Sequence, residues 1–133
     1  MGRGVSGFLL DTNAFSMMLS GDLRLAKDVR DTLEAADRIA VSVISFYEIG
    51  QKVRRGRWPE MAAFAADMQG RSMGYGYDIV PLSAAAAEMS SMMEWDHRDP
   101  FDRMIAAVAL QERMPLVSSD PAFDKVGVER VWG

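Results

Sequence analysis

Short apolar runs alternate along the chain with longer stretches in which apolar residues recur every three or four positions. Gly7 to Leu10 reads as a short apolar strand, followed by a turn carrying Asp11, Thr12 and Asn13. Leu23, Ala26, Val29, Leu33 and Ala36 then give a charged helix a single apolar stripe. A second strand, Ile39 to Val41, leads through Ser42 into a helix running to about Arg55, where Gly56 is placed to stop it. A further helix is predicted over Glu60 to Gln69. The Gly-rich GYGYD, with Gly74 and Gly76 as turn residues, separates it from a third strand near Ile79 and Val80, closed by Pro81. Ala84 to Met93 reads as helix from its composition, and Pro100 to Arg113 from its pattern and the proline at its start. Pro115 opens a fourth strand, Leu116 to Ser118. Asp120-Pro121 marks a turn or helix start, and Val128 to Trp132 a final strand.

Strands alternating with helices predict an α/β fold with a parallel sheet covered on both faces. In such a sheet the strand C-termini and helix N-termini share one edge, and ligands bind there. Asp11 follows the first strand and Asp120 the fourth, while Glu48 and Asp102 lie in early helical turns, so the four acids are expected to converge at that edge.

Composition narrows the chemistry. No repeat or linker divides the 133 residues, so the whole chain, 1–133, is read as a single domain. The longest apolar runs, such as Ile105 to Leu110, fall far short of the ~20 residues that a membrane helix needs. The N-terminus has no apolar segment followed by a cleavage site, so no membrane partner and a cytoplasmic location are expected. Without cysteine, disulfides, thiolate zinc sites and Cys nucleophiles are excluded, and any metal is expected to be held by oxygen. A net charge of −4 argues against holding nucleic acid by bulk electrostatics, yet it does not exclude a nuclease, whose bound cations would offset several carboxylates locally. The densest basic group is Lys52, Arg54, Arg55 and Arg57. It is placed to meet a phosphate backbone or an acidic partner, or simply to complement a helix C-terminus.

Each acid also has a purely structural reading. Ser45 to Glu48 fits a capping box, and Asp99 to Asp102 repeats it with Asp99 as the cap. Asp120 resembles another helix start, and Asp11 an Asx-turn residue. What favours a site is their gathering at one edge amid apolar sequence, because like charges there repel and a divalent cation relieves them. Carboxylates and water suit Mg²⁺ or Mn²⁺, whose bound water is a nucleophile for a phosphodiester.

FLLDTN, SVISFYEIGQK, RDPFDRMIAAVAL and VSSDPAFD, in that order, resemble the motifs of PIN-domain ribonucleases, and among them the VapC-like toxins of bacterial and archaeal toxin–antitoxin pairs. The resemblance spans Phe8 to Asp124. It implies a PIN-like three-layer α/β/α domain with a central, mainly parallel sheet of four to five strands. It also implies that Asp11, Glu48, Asp102 and Asp120 are the metal-binding, catalytic acids, with Ser118 at the Thr/Ser position of the last motif. Asn13, Asp99 and Asp124 are assigned auxiliary roles. The implied activity is a Mg²⁺- or Mn²⁺-dependent endoribonuclease, a homodimer blocked by a cognate antitoxin. Lys52, Arg54, Arg55 and Arg57 then become candidates for RNA or antitoxin binding. A rival of another class is a catalytically silent PIN-like module that acts through an antitoxin/DNA repressor complex; the intact acid set argues against it. The sole histidine, His97, reads as an exposed loop residue, and Met89, Met92, Met93 and Trp95 as core packing.

Overall fold

The structure is a computed structural model that describes residues 7–22 and 24–132. Leu23, counted in the apolar stripe, lies outside the described residues. Five strands, β1 (Gly7–Leu10), β2 (Arg38–Ser42), β3 (Asp78–Val80), β4 (Leu116–Val117) and β5 (Arg130–Val131), form one sheet in the order β3-β2-β1-β4-β5, parallel throughout. The expected α/β layering with a parallel sheet is therefore present, with five strands. β1 lies at the centre, where both faces are covered, so successive residues serve two cores. Leu9 faces a core with Ala40, Leu116, Ile105 and Ala106, whereas Leu10 faces one with Val41, Val117, Phe15, Leu33 and Ile49. Helices α6 (Ala84–Met92) and α7 (Pro100–Glu112) supply the first layer. The second receives α1 (Thr12–Ser20), α2 (Lys27–Glu34) and the buried face of α3 (Val43–Arg54).

Several elements differ from expectation. The turn predicted at Asp11 to Asn13 is the start of α1. Asp11 is its N-cap, with Oδ1 accepting the Ala14 N–H at 2.7 Å, and Gly21, at φ 68°, ends it. Ala14, Phe15 and Leu19 are buried and Met17 and Met18 half-buried, so a wide face of this helix is apolar and its polar residues, Thr12, Asn13, Ser16 and Ser20, share one edge. The helix expected over Glu60 to Gln69 is broken into a 3₁₀ turn (Pro59–Met61), α4 (Ala62–Ala65) and α5 (Met68–Gly74). The break lies at Asp67, whose side chain accepts the Gly70 N–H and caps a new helix instead of continuing the old one. Gly74 consequently ends a helix, and of this pair Gly76 alone, at φ 80°, has a turn conformation that requires glycine. Asp120-Pro121 opens a 3₁₀ turn, Pro121–Val126, and the last strand is shorter than Val128 to Trp132. Among the described residues no helix is long and apolar enough to cross a membrane.

Candidate active site

Register brings the site together. Leu10 pairs with Val41 on one side and Val117 on the other, so Asp11, Ser42 and Ser118 leave the sheet side by side at its C-terminal edge. There the Asp11 N–H donates to the Val117 carbonyl at 3.1 Å. The buried hydroxyls of Thr12 and Ser45, 2.9 Å apart, tie the first turn of α1 to that of α3.

Ser42 caps α3, its Oγ accepting the Ile44 N–H at 3.0 Å. Glu48 therefore lies in the second helical turn, and the capping box read over Ser45 to Glu48 does not form. Glu48 is 4% exposed; its Oε2 accepts from Lys52 Nζ at 2.7 Å, while its buried Oε1 has no hydrogen-bond partner. Asp99 is the cap of α7, Oδ1 accepting the N–H groups of Phe101 at 2.9 Å and Asp102 at 3.3 Å. The Asp102 carboxylate is turned toward His97. Asp120 caps the 3₁₀ turn through the Ala122 N–H at 2.9 Å, and its own N–H donates to Ser118 Oγ at 3.0 Å.

The electrostatics follow from burial. Asp11, 6% exposed, is pushed up to about 6, first by loss of hydration and then by the charges of Asp102 and Glu48; the Ser118 hydroxyl and the Ala14 N–H pull the other way. Asp102 is raised for the same first reason, with Asp99 and Glu48 adding and His97 opposing. Asp11, Glu48 and Asp102 therefore share one field. An orphaned buried carboxylate oxygen among mutually repelling acids is costly, and a divalent cation would answer both problems. The donor set thus fits Mg²⁺ or Mn²⁺.

His97 is not the exposed loop histidine expected. Its Nε2 lies 2.7 Å from Asp102 Oδ2, and its ring stacks on Trp95 with centroids 4.7 Å apart and planes 25° apart. His97, Asp102 and Asp120 each offer a donor atom within 4.8 Å of the others. Arg103, which the sequence pattern did not single out, holds this arrangement: its guanidinium donates to the carbonyls of Ser90, Met93, Trp95 and His97 at 3.0, 2.6, 2.9 and 3.0 Å. The only signal for it was a basic residue directly after Asp102 on a largely buried helix.

The remaining assigned residues lie at the margins. Asn13 is exposed in the first turn of α1. Asp124 is exposed and pairs with Arg130 at 2.9 Å, and Arg130 also donates to the Ser118 carbonyl at 3.2 Å, so Asp124 braces a strand end and does not join the cluster. Lys52 is engaged by Glu48 and lies 5.5 Å from the Trp58 ring centre. Arg54, Arg55 and Arg57 are exposed. Lys52, Arg55 and Arg57 line an open pocket of about 360 Å³ with Arg98 and Phe101, and Arg54 is not part of that wall.

Comparison with known proteins places this geometry. The model of the PIN domain matches residues 8–129. No curated protein matches the chain. Among solved structures, VapBC2 of Rickettsia felis bound to a promoter DNA fragment is similar, at 18% identity over 96% of this chain and 99% of that one, with a TM-score of 0.71. VapC20 of Mycobacterium tuberculosis, a sarcin-ricin loop cleaving toxin, gives 17% identity, 95% and 99% coverage and a TM-score of 0.70. A toxin–antitoxin complex from Klebsiella pneumoniae gives 21%, 92%, 94% and 0.64. At such identities these likenesses show the fold, and the family match, which covers most of the chain and all four acids, shows descent: the chain belongs to the PIN domain family.

Proposed function

We propose that the protein is a Mg²⁺- or Mn²⁺-dependent endoribonuclease, the toxin of a type II toxin–antitoxin pair, working in the cytoplasm as a homodimer that a cognate antitoxin restrains. The observation that carries the chemistry is the buried, unpartnered Oε1 of Glu48 beside Asp11 and Asp102. Asp11, Glu48, Asp102 and Asp120 would hold the ion. When bound, it supplies an acidified water as nucleophile and neutralises charge on the phosphorus oxygens. The chain's own residues do the rest. Lys52 orients Glu48 from its Oε2 side, which leaves Oε1 free to face the site. The cap hydrogen bonds of Asp11 and Asp120 occupy one oxygen of each, and Asp11 also meets the Ser118 hydroxyl, so an ion would be held by the lone pairs that remain.

The substrate path is the basic pocket of Lys52, Arg55, Arg57 and Arg98. It borders Phe101, the residue before Asp102, and cations there meet RNA phosphates on the way to the acids. Tyr47, the residue before Glu48, is 59% exposed and its ring lies 5.9 Å from that of Phe101, which offers a base a stacking surface next to the site. Antitoxin partnership is supported by the similar structures from Klebsiella pneumoniae, a toxin–antitoxin complex, and Rickettsia felis, a VapBC pair bound to promoter DNA. Purified chain, free of antitoxin, is expected to cleave RNA with Mg²⁺ or Mn²⁺ and to stop in excess chelator; undiminished cleavage in chelator would remove the metal from the reaction.

A further inference from the structure

We propose that the His97 imidazole, with the carboxylates of Asp102 and Asp120, forms a mixed nitrogen–oxygen position for a divalent ion, Mn²⁺ in preference to Mg²⁺, beside the carboxylate position of Asp11 and Glu48. The inference rests on the divalent-ion reading above and adds a ligand of a different chemical kind. One donor atom from each of the three residues lies within 4.8 Å of the others. Adjacent ligands of an octahedral ion at ~2.1 Å are ~3.0 Å apart and opposite ones ~4.2 Å, so side-chain adjustment of at most ~0.6 Å would let a single ion reach all three. The 2.7 Å between His97 Nε2 and Asp102 Oδ2 is close to the spacing of adjacent ligands, with a proton in the ion's place.

His97 is built into this position. Its ring rests on Trp95, whose ring in turn meets Phe123 of the core at 5.7 Å, and Arg103 fixes the carbonyls of both Trp95 and His97. On the far side the Asp120 backbone N–H is held by Ser118 and Oδ1 by Ala122, and among the described residues Oδ2 makes no hydrogen bond. The divalent-ion reading on which this rests has its own support in the neighbouring acid. Glu48, 4% exposed, has an oxygen with no partner, and its charge bears on Asp102 as well as on Asp11. Asp102 is thus common to both groups. Magnesium favours an all-oxygen shell, whereas an imidazole suits transition metals better, so His97 biases the chain's ion preference toward Mn²⁺.

His97 is the only histidine in the chain, which makes the test specific. The full chain, without a histidine tag and stripped of metal, would be titrated with Mn²⁺ and studied by pulsed electron paramagnetic resonance for coupling to an imidazole ¹⁴N. Coupling is expected in the wild type and lost in His97→Phe, which keeps a ring to stack on Trp95 but has no nitrogen. Mn²⁺ affinity at one position should fall about tenfold or more, with Mg²⁺ affinity changing much less. The wild-type spectrum stands without any variant, and His97→Gln provides a second deletion of the imidazole if the phenylalanine form does not fold. Mn²⁺ bound without ¹⁴N coupling, or imidazole coupling that survives in either variant, overturns the assignment of His97 and leaves the carboxylate reading standing. Failure of Mn²⁺ to bind at all overturns both.

Discussion

Asp11 illustrates how one residue serves the fold and the chemistry at once. Its Oδ1 caps α1, a task that asparagine performs equally well, while its charge is buried beside two other acids. Asp11→Asn is therefore expected to retain the fold and to lose RNA cleavage by roughly 100-fold or more, since charge stabilisation by the metal supplies several kcal/mol of barrier lowering. Asp37→Asn, at an exposed position, is the control and should leave cleavage unchanged. A linked effect appears in metal-free protein. The folded-state value of about 6 lies above the ordinary 3.8, so the folded state binds the proton more tightly than the unfolded chain. Stability is then fullest below about pH 4 and falls as the pH rises through 6, by on the order of 3 kcal/mol from this group. Asp102, also raised, acts in the same direction. Thermal melts between pH 4 and 7 without metal should show that decline in the wild type and a shallower one in Asp11→Asn. Equal slopes would mean that Asp11 carries no buried charge.

The facing ends of α3 and α7 set the site's surroundings. The C-terminal residues of α3 and the segment entering α7 line one pocket with cations on both sides, so its role is a property of two elements and not of a single arginine. The triple replacement Arg55→Ala, Arg57→Ala, Arg98→Ala is expected to raise KM for RNA severalfold with little change in kcat. It should also lower the salt slope of binding by about 0.7 for each RNA phosphate that is no longer neutralised. An unchanged slope would return these arginines to complementing a helix end. Arg103 works differently, joining α7 to the end of α6 and to the loop that carries His97. Arg103→Ala frees four carbonyls and should cost about 2 to 3 kcal/mol of stability in denaturant titration, as expected for hydrogen bonds to a charged group.

At the scale of the whole molecule, the sheet edge concentrates negative charge, so a bound cation should couple to global stability. At about 100 times its dissociation constant an ion that binds only the folded state adds ~2.7 kcal/mol. Mn²⁺ should raise the melting temperature of the wild type at neutral pH and scarcely that of Glu48→Gln; an equal rise in both would place the ion elsewhere. The alternation of apolar runs with helical patterns determined the α/β layering from sequence alone, because a central parallel strand must be apolar on both faces, as Leu9 and Leu10 are. Order along the chain likewise indicated that Asp11, Glu48, Asp102 and Asp120 would meet at one edge, since strand C-termini are collected there whatever the loops do. Local competition decided what the pattern did not show. Asp67 divides a helix that composition alone would continue, and with Ser42 as the cap of its helix the alternative box over Ser45 to Glu48 does not form, which releases Glu48 from a capping task. His97 and Arg103 became legible only in three dimensions. A loop residue carries no periodicity, and its value depends on the carboxylate, ring and carbonyls that tertiary packing brings to it.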